Sequence, residues 1–251
     1  MFRLILIAVM AALSAGTACA QTAAVSRFDG WASAIVAADW RSSDGTPIEA
    51  FDNARRDLTS AFLAAGFSRA GMVDYSLRPD VSAPTSAGTV IQGIADVTAR
   101  ATRGCLLYFT SHGTPEALVF GETGTLSPTA MATLVRRWCQ DRPTVIIVSA
   151  CFSGIFVDGL AAPNRMIMTA SRRDRSSFGC SEDAVYPYFD GCVIQSLPTA
   201  SDFIALNNAV RACVKTREEA EGLSPASEPQ VSIGANMQLA LPTLRFSHPL
   251  P

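Results

Sequence analysis

Short apolar segments alternate with helix-forming segments along most of this chain, and this alternation limits the folds that it can adopt. We predict strands over 32–40, 72–77, 105–110, 144–149, 166–169 and 230–234. Helical patterns lie between them, over 48–65, 86–103, 127–140 and 202–221. Strands 105–110 and 144–149 are apolar enough to be buried on both faces, as in a parallel sheet. The repeat predicts a single α/β domain, in which helices cover both faces of a mostly parallel sheet.

The composition fits a folded domain and excludes several other classes of protein. Of the 251 residues, 49% are hydrophobic and 17% are charged, so intrinsic disorder is ruled out. The 20 basic and 22 acidic residues give a net charge of −2, which carries no electrostatic signature of a nucleic-acid or anionic-lipid partner. The chain has two histidines, His112 and His248, which excludes a histidine-rich zinc site.

The first twenty residues have the pattern of a secretory signal peptide. Arg3 precedes the apolar stretch 4–13, and Ala18-Cys19-Ala20 forms a small-residue cleavage site. A membrane anchor would need about 20 apolar residues, and a lipoprotein signal would carry a large aliphatic residue where Gly16 stands. We therefore predict a signal peptide over 1–20 that is cleaved near Ala20. The mature domain, 21–251, is expected to be exported, either periplasmic or secreted, without stable membrane insertion.

Export changes the interpretation of the cysteines, because an oxidising compartment permits disulfides. The mature region has six cysteines: Cys105, Cys139, Cys151, Cys180, Cys192 and Cys213. If one of them is kept as a reactive thiol, five remain, and at least one more is unpaired. The spacing leaves the pairing open.

Reactive side chains follow two of the predicted strands. One strand ends in Thr110-Ser111-His112-Gly113, and the other ends in Ser149-Ala150-Cys151-Phe152-Ser153-Gly154. Sites in such sheets form beyond the carboxyl ends of the strands, and neighbouring strands lie about 4.8 Å apart. If these two strands are neighbours, His112 and Cys151 meet at the distance at which an imidazole can serve a thiol. The glycines after each residue allow a sharp turn and a close approach of substrate.

His112 and Cys151 also have simpler interpretations. A buried core cysteine and a hydrogen-bonded loop histidine are the simplest alternatives. A phosphatase loop would have Arg where Val157 stands, and a thioredoxin-like motif would have Cys in place of Gly154. His248 lies near the chain end before Pro249 and is interpreted as part of the tail. The conjunction of His112 and Cys151 at one edge of the sheet favours a Cys–His site.

The segments around both residues resemble the legumain family of cysteine peptidases. Residues 108–113, followed by 118–120, resemble the catalytic-histidine segment, and the Ala-Cys-x-Ser-Gly pattern at 150–154 resembles the nucleophile segment. Residues 175–180 resemble the loop after the next strand, and the likeness extends from about 32 to 234. The resemblance implies a caspase-like three-layer α/β/α sandwich with a mostly parallel central sheet. Since the chain ends soon after its last predicted strand, we expect a bacterial-type short form without a long carboxy-terminal inhibitory segment.

The resemblance also implies a mechanism. Cys151 would attack a scissile carbonyl, His112 would transfer protons, and the backbone N–H groups of Gly113 and Cys151 would hold the oxyanion. Peptide or protein substrates are implied, and no metal or organic cofactor. Two alternatives stay open: a transamidase or peptide ligase, which the same family includes, and a non-catalytic binding scaffold that keeps the fold.

Departures from the family pattern concern specificity and orientation. Ser149 replaces an acidic residue two positions before the nucleophile, and Ala50-Phe51 lies where the family has an Arg-His pair. The loop after the fifth strand carries the candidate substrate-binding residues Arg172, Arg173, Arg175, Ser176 and Ser177. These arginines are either a solvated charge run or a cationic pocket wall, and the wall predicts cleavage after Asp or Asn. Asp39 is a candidate for the group that orients the histidine.

Overall fold

The structure is a computed structural model, and it describes residues 26–42, 44–79, 81 and 84–247. The predicted signal peptide, its cleavage site and His248 lie outside these residues, so those predictions stand as predictions. None of the helices in the described ranges is long and apolar enough to cross a membrane.

The described residues form eight strands and seven helices. The strands are Trp31–Ala37 (β1), Met72–Ser76 (β2), Gly104–Thr110 (β3), Leu118–Val119 (β4), Thr125–Leu126 (β5), Thr144–Ser149 (β6), Arg165–Thr169 (β7) and Gln230–Ile233 (β8). The helices are Ala50–Ala64 (α1), Ala87–Ala99 (α2), Pro128–Cys139 (α3), Phe156–Leu160 (α4), Tyr188–Ser196 (α5), Phe203–Ala220 (α6) and Ala235–Ala240 (α7). Each strand and helix predicted from the sequence is present, with ends shifted by a few residues. Helices α4, α5 and α7 and the short strands β4 and β5 have no predicted counterpart.

Six strands form one sheet in the order β2-β1-β3-β6-β7-β8. The first five are mutually parallel, and only β8 runs antiparallel to its neighbour. Strands β3 and β6 lie side by side at the centre, and Thr110 and Ser149 form their last cross-strand pair. The two strands that carry the candidate residues are therefore neighbours, as the site hypothesis requires.

Helices cover both faces of the sheet, because strand side chains alternate between the faces. In β3, Leu106 and Tyr108 pack into the core beneath α1, α5 and α6, whereas Leu107 and Phe109 pack into the core beneath α2, α3 and α4. Every residue of β3 is buried. This double burial explains why the strand is an uninterrupted apolar run, and it produces the expected three-layer α/β/α arrangement.

Two disulfides fasten helices in the outer layers. Cys105 of β3 pairs with Cys139 of α3, and Cys192 of α5 pairs with Cys213 of α6. Among the described cysteines, Cys151 and Cys180 are free. One cysteine besides Cys151 is thus unpaired, in agreement with the sequence argument.

Candidate active site

The loops that follow β3 and β6 touch through Gly113 and Cys151. A Cβ atom added to Gly113 would lie 2.1 Å from the backbone carbonyl oxygen of Cys151 and 3.1 Å from the Cβ atom of Ala150. Ser111 N–H donates to the carbonyl of Ser149 at 3.0 Å, so that β3 and β6 are joined up to the residue before His112. The structure therefore brings the His112 and Cys151 segments together, as the sequence predicts.

The turn that carries Cys151 is locked by two buried serines. Ser153 N–H donates to Ser171 Oγ and Ser171 N–H donates to Ser153 Oγ, each at 3.1 Å, while the Ser171 hydroxyl donates to the Ala150 carbonyl at 3.0 Å. A Cβ atom on Gly154 would lie 2.5 Å from the backbone nitrogen of Arg173. Ser153 and Gly154 of the motif thus hold the turn that carries Cys151 against the loop after β7.

Phe152, the residue directly after Cys151, has a strained backbone. Phe152 has φ of 57° and ψ of 12°, the left-handed region that non-glycine residues seldom adopt. Its N–H donates to the Arg175 carbonyl at 2.8 Å, which helps to hold this conformation. Strain of this kind is concentrated at functional sites, where the surrounding structure enforces it.

The thiol of Cys151 is half-buried and meets the loop after β7 at Ser177. Ser177 N–H donates to Cys151 Sγ at 3.2 Å, the Ser177 hydroxyl lies 3.6 Å from the sulfur, and the Ser177 carbonyl oxygen lies 3.4 Å from it. Ser177, predicted as a substrate contact, is therefore in contact with the Cys151 thiol itself, whereas its neighbour Ser176 is exposed.

The ring of His112 is oriented by a backbone carbonyl. Its Nε2 lies 2.7 Å from the carbonyl oxygen of Arg41, and its edge packs against the Phe51 ring with centroids 5.1 Å apart. A carbonyl oxygen can only accept, so this contact assigns the proton to Nε2. The other ring nitrogen, Nδ1, is then the one that can exchange a proton with the thiol or with a leaving group.

Asp39 acts on the histidine through the loop after β1. The buried Asp39 carboxylate accepts from the N–H of Trp40 at 2.8 Å and from Nε of Arg41 at 2.9 Å. It thereby fixes the residue whose carbonyl holds His112. The group that orients His112 is thus the Arg41 main-chain carbonyl and not the Asp39 carboxylate, which the sequence suggested. Every residue has a main-chain carbonyl, so the sequence cannot show which one binds the histidine.

The N–H of Gly113 is directed away from the small hairpin formed by β4 and β5. Gly113 forms an isolated antiparallel bridge with Leu118. The flanking bonds run from Val119 N–H to the His112 carbonyl and from Thr114 N–H to the Ala117 carbonyl. In this type of pair the central N–H faces away from its partner strand. The Gly113 N–H is therefore not used in the pairing with Leu118.

The three arginines of the β7 loop are tied to acidic side chains to different degrees. Arg172 binds Asp174 and also Glu228, the latter at 2.8 Å, and Arg173 binds Asp158 at 2.8 Å. Arg175 has longer ion pairs, 3.6 Å to Asp174 and 3.8 Å to Glu228, and is 26% exposed. The carbonyl of Arg175 also binds the residue after the nucleophile. Of the three arginines, Arg175 therefore fits best the predicted role of a cationic pocket wall.

Below the Cys–His pair lies a buried carboxyl group that sequence analysis did not identify. Asp190, in the first turn of α5, accepts from Tyr108 Oη at 2.5 Å and from the hydroxyls of Thr110 and Ser149. Burial raises its pKa to about 6, and the three hydroxyl donors oppose that rise. Ser149, predicted to line the specificity pocket, is buried and bound to this carboxyl group.

The second free thiol, Cys180, lies near the same centre. It packs against a small apolar cluster that includes Phe51 at the start of α1. Burial raises the pKa of the Cys180 thiol well above its usual range, and the neighbouring Cys151 and Asp190 raise it further. The raised pKa therefore keeps Cys180 protonated, as a neutral thiol near Cys151. In the part of the chain described, no group of three or more His, Cys, Asp or Glu side chains is arranged to hold a metal ion.

Comparison with known proteins agrees with this geometry. The crystal structure of caspase-1 from Spodoptera frugiperda superposes with a TM-score of 0.60 and 11% sequence identity, and the match covers 83% of this chain and 88% of that one. The caspase-like fold inferred from the sequence is thereby confirmed. No curated protein matches the sequence. A model of the Peptidase C13 family, the legumain family, matches residues 88–216, which is about half of the chain and includes both His112 and Cys151. The chain therefore belongs to the Peptidase C13 family.

Proposed function

We propose that this protein is an exported cysteine endopeptidase that hydrolyses peptide bonds with Cys151 as nucleophile and His112 as proton carrier. Family and fold support a cysteine-peptidase type of function and peptide or protein substrates. The observation that carries the proposal is the contact of Gly113 with the Cys151 carbonyl, which places the two reactive segments against each other.

The reaction begins when the thiolate of Cys151 adds to the scissile carbonyl carbon. The carbonyl oxygen becomes an oxyanion, which accepts from the N–H groups of Gly113 and Cys151. His112, protonated on both nitrogens at this stage, gives the Nδ1 proton to the leaving amine as the C–N bond breaks, and a thioester remains on Cys151. Water then adds to the thioester and gives its proton to Nδ1, and the carboxylic acid leaves as the thiolate is restored.

Arg175 supports a preference for substrates with Asp or Asn before the scissile bond. A guanidinium can hold a carboxylate with two hydrogen bonds or donate to an amide oxygen. Ser149 is buried and bound to Asp190, so the proposed preference rests on Arg175. The energy of such a pair is a few kcal/mol when desolvated and close to zero when solvated.

The peptidase proposal is tested with a peptide library and the 21–251 protein. The proposal predicts cleavage that is lost in Cys151→Ala and unchanged by an added amine nucleophile. Conversion of the acyl product into an amide by the added amine would instead identify a transamidase or ligase. Failure of a thiol-reactive peptide inhibitor to label Cys151 in the folded protein would favour a binding scaffold.

Export is tested separately, by mass spectrometry of protein recovered from an expressing cell. The proposal predicts an N-terminus at Gln21. Lipid attached to Cys19 would contradict it.

A further inference from the structure

The Asp190 carboxyl group occupies a costly position that the proposed mechanism does not use. Its side chain has no exposed surface, and in the described part of the chain no Lys, Arg or His forms an ion pair with it. Burying an unpaired carboxylate is unfavourable, because the ion loses its hydration without gaining a countercharge. Groups perturbed in this way are concentrated at functional sites.

The hydrogen bonds of Asp190 require a carboxylate. Three hydroxyl groups point at it, those of Tyr108, Thr110 and Ser149. An ionised carboxylate only accepts, so it satisfies all three donors, whereas an amide side chain has one acceptor atom and brings two donors of its own. The surrounding hydroxyls therefore stabilise the charged form. Since the carboxyl group is enclosed, it does not touch the substrate.

Asp190 also joins the two strand ends that carry the Cys–His pair. Thr110 and Ser149 are the last paired residues of β3 and β6, and each stands two positions before a reactive residue. Two residues along a strand span about 6.6 Å and return to the same face of the sheet. The carboxylate thus bridges β3 and β6 at the Thr110–Ser149 pair, two residues before His112 and Cys151.

We propose that Asp190 is a positioning residue for the Cys–His pair, and this rests on the proposed peptidase function. Its carboxylate holds the ends of β3 and β6 at a fixed separation through one hydroxyl from each strand. That separation sets the approach of the imidazole to the thiol. Protonation of Asp190 weakens the bridge, because the neutral acid accepts fewer hydrogen bonds and must place a proton of its own.

Titratable side chains also face Asp190 and α5 from the neighbouring elements. Tyr108 faces the carboxyl group from β3, and Cys180 faces it from the loop after β7. On α6, Arg217 stacks on Tyr188 and approaches Gly191, and Glu218 is bound by Ser227 N–H. On α1, Asp52 is paired with Arg55 and Arg56. Tyr108 and Cys180 stay neutral through the acidic range, because burial raises the pKa of both.

The test compares Asp190→Asn with Asp202→Asn in the 21–251 protein. Asp202 is a matched control, because it is also buried but caps the start of α6, where Asn caps equally well. We expect Asp190→Asn to lower kcat by about 10- to 100-fold with little change in KM, as a small displacement of reacting groups would. The control keeps its wild-type kcat.

A second readout does not depend on peptidase activity. The rate at which iodoacetamide alkylates Cys151, followed by peptide mass spectrometry, reports how well the imidazole is placed beside the thiol. Wild type should lose reactivity as pH falls through about 6, where the pKa of Asp190 lies. Because the thiolate fraction falls with pH in every variant, the readout is the ratio of the wild-type rate to the Asp190→Asn rate, which should decline towards one as pH falls through about 6. In Thr110→Val the rate relative to Asp190→Asn should decline at a higher pH, because the Thr110 bond lowers the pKa of Asp190.

These outcomes separate the positioning role from the proposed function and from a merely structural role. If Asp190→Asn does not fold, Thr110→Val tests the positioning role instead. Val has the shape of Thr, so this variant should keep the packing and lose only the hydroxyl. An alkylation profile unchanged in both variants would overturn the positioning role even if peptidase activity is present. A shifted profile in a protein without peptidase activity would support the positioning role and contradict the proposed function.

Discussion

The Cα atom of Gly113 lies against the backbone carbonyl of Cys151, so closely that a Cβ atom there would stand 2.1 Å from the oxygen. Gly113 does not have a positive φ, so its backbone shape does not demand glycine. The requirement is the close approach of two main chains, which no side-chain rotation can relieve. This contact determines how near the two candidate catalytic segments come.

Replacing Gly113 by Ala should therefore separate the segments. We expect kcat/KM to fall by about 100-fold or more, because a displacement near 1 Å has that effect, and the free energy of unfolding to fall by about 1–3 kcal/mol. Gly88→Ala is the matched control: it lies in the first turn of α2, and its new Cβ would meet only Ser86 Oγ at 3.8 Å. Full activity in Gly113→Ala would contradict the site geometry.

The central strands and the placement of His112 and Cys151 at strand ends could be predicted because their signals are local. Strand β6 is an apolar run buried at every position, and the reactive residue follows directly at its end. The parallel arrangement places the ends of β3 and β6 at one edge of the sheet, and the strand order of the structure makes them neighbours. The fold class and the positions of the two candidate residues in it are therefore accessible from short stretches of sequence.

The supporting groups could not be predicted, because they come from distant segments or from the main chain. Asp190 is 80 positions from Thr110, on a nine-residue helix whose apolar pattern is interrupted by the Asp and the following Gly. Asp174 binds Arg172 from two positions away, but Glu228, which also binds Arg172, and Asp158, which binds Arg173, lie 56 and 15 positions away. Only the folded arrangement shows that these two arginines are bound to carboxylates.

Asp39 should influence catalysis through the Arg41 carbonyl. In Asp39→Ala the loop after β1 loses its anchor, and we expect kcat to fall by about tenfold as His112 loses its fixed orientation, with KM little changed. Asp39→Asn retains an acceptor for the Trp40 N–H, so it should recover part of the activity. Equal loss in both variants would indicate that the carboxylate charge, and not its hold on the loop, is what matters.

The cleavage preference should depend on Arg175 more than on its neighbours. We expect Arg175→Ala to remove a preference for Asp or Asn before the scissile bond, measured as a ratio of kcat/KM values across a peptide library. Arg172→Ala and Arg173→Ala serve as controls, since both side chains are already bound by carboxylates. If all three variants keep the wild-type profile, the cationic wall is not part of the pocket.

Stability should depend on pH through Asp190 with an unusual sign. Its pKa is raised from 3.8 to about 6 on folding, so the stability it contributes is fully present below pH 3.8 and is lost as pH rises through 6. The loss amounts to at most about 3 kcal/mol. Wild type should therefore become less stable relative to Asp190→Asn between pH 4 and 7 in chemical denaturation. A constant difference across this range would contradict the raised pKa.

The most direct test of the peptidase assignment is cleavage of a peptide library by three forms of the 21–251 protein: wild type, Cys151→Ala and Cys180→Ala. Each substitution removes a different one of the two free thiols, Cys151 or Cys180, so each variant is the control for the other. The account predicts that wild type and Cys180→Ala cleave peptides and that Cys151→Ala does not, while all three unfold cooperatively. Cleavage by Cys151→Ala at a rate comparable to wild type would contradict it.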